Sequence, residues 1–162
     1  MPMTDAMQDD LIQIVYVSTA SRRPTPELLD SIRAAARERN PSLGITGVLL
    51  YGSGLYVQLL EGPPEEVHDL LASIEGDDRH RNVRILVSQL SEKRSAQAWS
   101  MGVLDLDAIE DEAESLEGIV RDLVDIFDDI EWDNNAGPAI EDLVMAFQRY
   151  GGPAANEHAS AA

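Results

Sequence analysis

The sequence contains no cysteine. Disulfides, thiol redox centres and thiolate-held zinc or iron–sulfur clusters are therefore excluded, and the absence fits a cytoplasmic protein. Basic residues are also scarce: 12 Lys and Arg stand against 30 Asp and Glu, a formal net charge of -18. A surface of that sign repels phosphate backbones and anionic membrane faces, so neither direct nucleic-acid binding nor membrane binding is expected. No apolar run approaches the roughly 20 residues that span a bilayer, and the opening MPMTDAMQDD is not a basic region leading into an apolar one. A soluble, unsecreted protein is expected. His68, His80 and His158 are too scattered to suggest a metal site.

What remains is 162 residues, 44% of them hydrophobic, enough for one domain with a proper core plus appendages. The ends, 1–10 and 151–162, are expected to be loose, with order from Leu11 to Tyr150. LIQIVYVS (11–18) is rich in β-branched residues and reads as a strand. Pro24 to Asn40 places Leu28, Leu29, Ile32, Ala35 and Ala36 at helical spacing, and Pro41 predicts the helix end at Asn40. GITGVLLY (44–51) and LYVQLLEG (55–62) flank Gly52-Ser53-Gly54 and read as a hairpin. Val67, Leu70, Leu71 and Ile74 mark a helix from Pro64 to Glu75, followed by strands over 83–94 and 99–106.

The order β-α-β-β-α-β-β is that of a ferredoxin-like α+β fold: a mixed sheet with both helices on one face and the first strand beside the third. Because the strands are apolar on both sides, the second face also needs a cover. The helical patterns at 112–130 and 140–150 can supply it. Between Asp105 and Asp133 the acids are dense and Arg121 is the only base, which reads as a solvated acidic face rather than a docking site.

Gln58 is the residue out of place. An unpartnered buried amide costs about 2–7 kcal/mol, so this one requires a partner, protein or otherwise. Strand parity puts Gln58 on one face with Tyr56 and Leu60, Tyr16 on one face with Ile12 and Ile14, and predicts that Trp99 and Met101 project together. A phenol, an amide, an indole and a thioether would then converge between the helices, with Asn40 at their edge. No general base, activated nucleophile or metal-ligand cluster accompanies them.

VYVSTA with Tyr16, NPSLGITGVLLY with Asn40, LYVQLLEG with Gln58, DDRHRNVRI, and WSMG with Trp99 and Met101 together resemble the BLUF domain, a family of blue-light sensors that use FAD. The resemblance spans residues 11–106, with 107–150 resembling the C-terminal helical extension of short, single-domain members. It implies a flavin held non-covalently between the helices (FAD, with FMN or riboflavin also admitted), Tyr16 as photochemical electron donor, and Gln58 as a switch between Tyr16 and the flavin. Asn40 would meet the flavin carbonyl edge, and Trp99 and Met101 would pass the rearrangement into the last strand. Asp77 and His80 match the family's segment after the second helix. Arg39 stands where some members carry a second Asn, and Ser73 where some carry an Arg, so the resemblance assigns Arg39 the cation facing the flavin or its pyrophosphate. It further implies a non-enzymatic cytoplasmic receptor acting in trans on a protein effector, as a homo-oligomer. Two other functions fit the same fold: a flavin-free regulatory module, and an acylphosphatase-like hydrolase using Arg22, Arg23 and Asn40, which lacks a glycine-rich anion loop.

Overall fold

In the computed structural model of the chain, the residues described are 10–52, 54–97, 99–105, and 140–141, 143–145 and 147–148. The acidic stretch, the helical pattern at 112–130 and both expected loose ends lie outside them, apart from Asp10 and Asp105.

Five strands form one sheet: β1 (Leu11–Ala20), β2 (Thr46–Gly52), β3 (Leu55–Gly62), β4 (His80–Ser91) and β5 (Gly102–Asp105). Two helices are interleaved, α1 (Pro26–Leu43) after β1 and α2 (Pro64–Glu75) after β3. The strand order β4-β1-β3-β2-β5 is antiparallel throughout except for the parallel β2–β5 pair, the expected mixed ferredoxin-like sheet. β1 therefore lies beside β3, and Tyr16 is directly opposite Gln58. The β1–β4 register slips at Val15/Tyr16 and again between Val17 and Thr19. Such irregularities sharpen strand twist and re-aim side chains, and here they bracket the phenol.

Alternation divides the core into two layers. Ile12, Ile14, Tyr16, Tyr56 and Leu60 face α1 and α2, where they meet Leu29, Ala36, Val67, Leu70 and Leu71. Val15, Val57 and Leu59 face the other way and are covered by Ile140, Leu143, Val144 and Phe147, from the helical residues between 140 and 148. The expected second cover is thus present in its last segment. It packs closely: a Cβ on Gly102 would come within 2.3 Å of the Phe147 ring.

Helix α1 starts where Thr25 accepts a hydrogen bond from the Leu28 N–H at 3.0 Å, with Pro26 supplying the fixed φ of a first helical position. It does not stop at Asn40. The helix carries Pro41 inside its last turn and closes at Gly44, whose φ of 71° lets its N–H reach the carbonyls of Asn40 and Pro41. The pre-proline restriction is a bias, and the missing Pro41 N–H deprives only an exposed turn of one bond, so the glycine cap three residues later decides the end.

Candidate functional site

The slot between α1 and α2 is a cavity of about 370 Å³, within the range of small-molecule and cofactor sites. From α1 it is lined by Ser31, Ile32, Ala35, Ala36 and Arg39, and from α2 by Leu70, Ser73 and Ile74. Leu49, Gln58 and Met101 form its floor, and Asp77, Arg79 and His80 its rim. Small residues on both helices keep the walls apart while leucine and isoleucine make them apolar. A planar aromatic heterocycle with polar edges suits such a slot, and an isoalloxazine is one.

Gln58 is the polar group of the floor. Its Oε1 accepts from the Tyr16 hydroxyl, and its Nε2 donates to the Met101 sulfur at 3.2 Å. A thioether is a weak acceptor, and an amide has two N–H donors, so the amide retains donor capacity at the cavity it lines. Tyr16 is completely buried behind it, and burial pushes its phenol well above the usual range, which holds the hydroxyl protonated as a donor.

Trp99 and Met101 do not project together. Met101 joins the helix-side layer against Gln58, whereas Trp99 packs edge-on against Phe147, ring centroids 5.1 Å apart, on the opposite face. Parity fails because β5 begins only at Gly102. Residues 99–101 follow hydrogen bonds instead: the Trp99 N–H donates to Ala96 O at 3.1 Å, and the Trp99 carbonyl accepts from the Gly47 N–H at 3.1 Å.

Asn40 is fully buried beside the cavity rather than in its lining. Its Nδ2 donates to the Ser100 carbonyl at 2.7 Å and its Oδ1 accepts from Arg39 Nε at 3.0 Å, so the side chain ties α1 to the 99–101 segment and to the cation at the slot wall. Asp77 and His80 lie on the rim and are joined by one turn, the His80 N–H donating to the Asp77 carbonyl at 3.2 Å. Arg79 grips Asp77 through its Nε at 2.9 and 3.0 Å, and its backbone N–H adds a bond at 2.9 Å. Those bonds to Arg79 hold the Asp77 carboxyl down at about 2. Arg79 was not singled out from sequence; its two-residue spacing from Asp77 was the available signal, and it is weak. Ser18, the bonding partner of His80 at 2.7 Å to Nδ1, was likewise read only as a strand residue.

Burial lowers the His80 pKa below its ordinary 6.5, so the folded protein resists protonating it. The unfolded chain then takes up the proton first as pH falls. The stability His80 contributes is complete above 6.5 and is lost as pH drops from there through the folded value. Melting temperatures between pH 7 and 5 should therefore fall more steeply for the wild type than for His80→Gln, which cannot titrate.

The model of the family described as sensors of blue-light using FAD matches residues 11–102, more than half of the chain. The beta subunit of a photoactivated adenylate cyclase from Euglena longa is 36% identical over 92 residues, which cover 56% of this chain but only 11% of that protein. Among solved structures, the dark-state structure of BlrB, a BLUF protein, aligns with a TM-score of 0.61 at 30% identity, over 69% of this chain and 85% of that one. The BLUF structure of BlrP1 aligns with a TM-score of 0.60 at 32% identity, over 88% and 92% respectively. The slot between two helices, the phenol–amide pair beneath it and these matches agree on one conclusion: the chain belongs to the BLUF family.

Proposed function

We propose that the protein is a blue-light photoreceptor that holds FAD non-covalently between α1 and α2 and signals by rearranging the Gln58 amide. The carrying observation is the position of that amide: one end on a buried phenol, the other on a weak sulfur acceptor, at the floor of a slot that fits an aromatic ring. Bound flavin would supply the absorption of blue light and an excited state able to take an electron. Tyr16 is the donor, because a phenol gives up an electron and its proton together and Gln58 is bonded to its hydroxyl. An amide can exchange its donor and acceptor ends without change of charge, which lets Gln58 settle in a second arrangement after the charges recombine. Arg39 supplies positive charge on the slot's lining for the anionic part of the cofactor, while the charge of Arg79 is balanced by Asp77 beside it. Asn40 acts indirectly, by fixing the Ser100 carbonyl next to Met101.

No substrate is turned over in this reading, and the output is a population shift of the 99–101 segment and the helical cover behind the sheet. The Euglena relative is a cyclase by name, and this chain spans about a tenth of its length. For this chain we propose a protein effector acted on in trans by a homo-oligomeric receptor.

The test is an absorption spectrum of the flavin-reconstituted protein before and after blue light. A reversible red shift of the flavin band is expected. Gln58→Leu should keep the ring, since leucine suits the apolar slot, and lose at least nine-tenths of the shift. Protein that stays colourless after reconstitution would overturn the proposal in favour of a flavin-free interaction module.

A further inference from the structure

Glu61 lies three residues beyond Gln58 on β3 and faces the reverse side of the sheet. It is completely buried. Its Oε1 accepts from Thr46 Oγ1 at 2.8 Å and from the Ala96 N–H at 2.7 Å. Its Oε2 accepts from Gln13 Nε2 at 3.0 Å and from the Ser95 N–H at 2.8 Å. Two of the four donors belong to strands β1 and β2, and two are backbone groups of the segment between β4 and β5. One carboxylate thus fastens that segment to three adjacent strands. Its immediate neighbours are themselves tied down: Gln89 donates to Gln13 Oε1 at 3.0 Å, and Arg94 donates to Thr46 Oγ1 at 2.8 Å and to the Gly44 carbonyl at 2.6 Å.

The fastened turn leads directly to the site. Ala96 accepts from the Trp99 N–H, Trp99 accepts from Gly47, Ser100 accepts from Asn40, and Met101 accepts from Gln58. It also leads away from it, because the Ser95 hydroxyl donates to Glu141 Oε1 at 2.8 Å on the helical cover of the reverse face.

We propose, resting on the photoreceptor reading above, that Glu61 is a positioning residue for the Gln58–Met101 contact and that Ser95–Glu141 is the link carrying movement of the 95–101 segment to the cover. Four acceptor sites on one side chain require a carboxylate. A glutamine in its place offers one oxygen and one NH2, and the NH2 meets two donors, one of them a backbone N–H of the 95–96 turn. The turn then loses one anchor, and Met101 is no longer held at one distance from Gln58. A carboxylate with a merely structural role would, on becoming an amide, lower stability and leave the flavin signals alone.

The experiment compares full-length, flavin-loaded wild type, Glu61→Gln and Ser95→Ala. Neither substituted residue lines the slot, so both variants should hold the cofactor. Glu61→Gln is expected to recover in the dark about fivefold to tenfold faster, the rate equivalent of roughly one lost hydrogen bond, with a smaller red shift. Ser95→Ala also removes a hydroxyl that accepts from Gln13 Nε2 at 3.1 Å, but Gln13 Nε2 and the Ser95 backbone N–H both keep their bonds to Glu61, so its shift and recovery should stay close to those of the wild type. It should lose the light-minus-dark difference in amide hydrogen exchange across 140–148. Wild-type recovery and shift in Glu61→Gln would overturn the positioning role, and a retained exchange difference in Ser95→Ala would overturn the link. Should Glu61→Gln fail to fold, Thr46→Val, which withdraws one donor from the same carboxylate, is read by the same kinetics. A wild-type protein showing no light response would defeat the photoreceptor reading itself, an outcome distinct from normal wild type with unaffected variants.

Discussion

Tyr16→Phe is expected to hold flavin and show the wild-type dark colour, yet give no red shift under blue light. The ring sits in a fully buried position among Ile14, Tyr56 and Leu60, and phenylalanine fills the same volume. What disappears is the hydroxyl. With it goes the group that can release an electron together with a proton, and the donor on Gln58 Oε1. Because Gln58 is itself only 6% exposed, its oxygen loses a buried partner, which costs about 1–3 kcal/mol unless the amide turns to find another. The variant should therefore unfold at a lower urea concentration than the wild type while remaining folded and yellow in the dark. A lost shift with retained colour places the hydroxyl in the photochemistry, as electron donor and as the partner of Gln58 together, whereas an undiminished shift would remove Tyr16 from it.

The pairing behind that expectation was legible in the sequence because two independent regularities converge on it. Period-two alternation assigns Tyr16 and Gln58 each to a face, and the split βαβ order brings their strands together as neighbours. α2 was equally legible: the stripe from Val67 to Ile74 predicts a helix over Pro64–Glu75, and those are its ends. Trp99 was not. Parity holds only inside a strand, and the residues before Gly102 are placed by hydrogen bonds from Gly47 and Asn40, more than fifty residues earlier. No local pattern can report such partners.

Glu61 was missed for a related reason. A single acid at the end of an apolar strand looks like the point where the chain returns to solvent, and its four donors come from β1, β2 and the 95–96 turn. The helix end at Asn40 fails in a different way. There the local rule about proline is sound, but it competes with the cap that Gly44 supplies, and the cap prevails. Strands and the faces they present thus follow from local sequence, whereas the polar anchors that hold the functional segment depend on tertiary neighbours.

Gly47→Ala tests the tightest of those approaches and should have the largest effect on folding. A Cβ at this position would lie 2.0 Å from the Leu59 carbonyl oxygen, 3.1 Å from its carbon and 3.3 Å from the Met101 methyl. The first contact is to backbone of the paired strand, which cannot move aside as a flexible side chain would. Either β2 and β3 part, breaking a ladder at the centre of the domain, or β2 twists and withdraws the Gly47 N–H from the Trp99 carbonyl. We expect a loss of about 3 kcal/mol or more, the upper end of what overpacking costs, and with it loss of bound flavin. Gly54→Ala provides the comparison. Its φ of 81° is unfavourable for alanine but nothing lies within 4 Å of the added Cβ, so a cost of about 1–2 kcal/mol is expected. Urea midpoints of the two variants measured in darkness decide between the causes. Nearly equal losses would mean that strand flexibility absorbs the clash; a much larger loss at Gly47 would show that the approach of β3, Met101 and the Trp99 carbonyl to one bare Cα is a condition of the fold and of the site together.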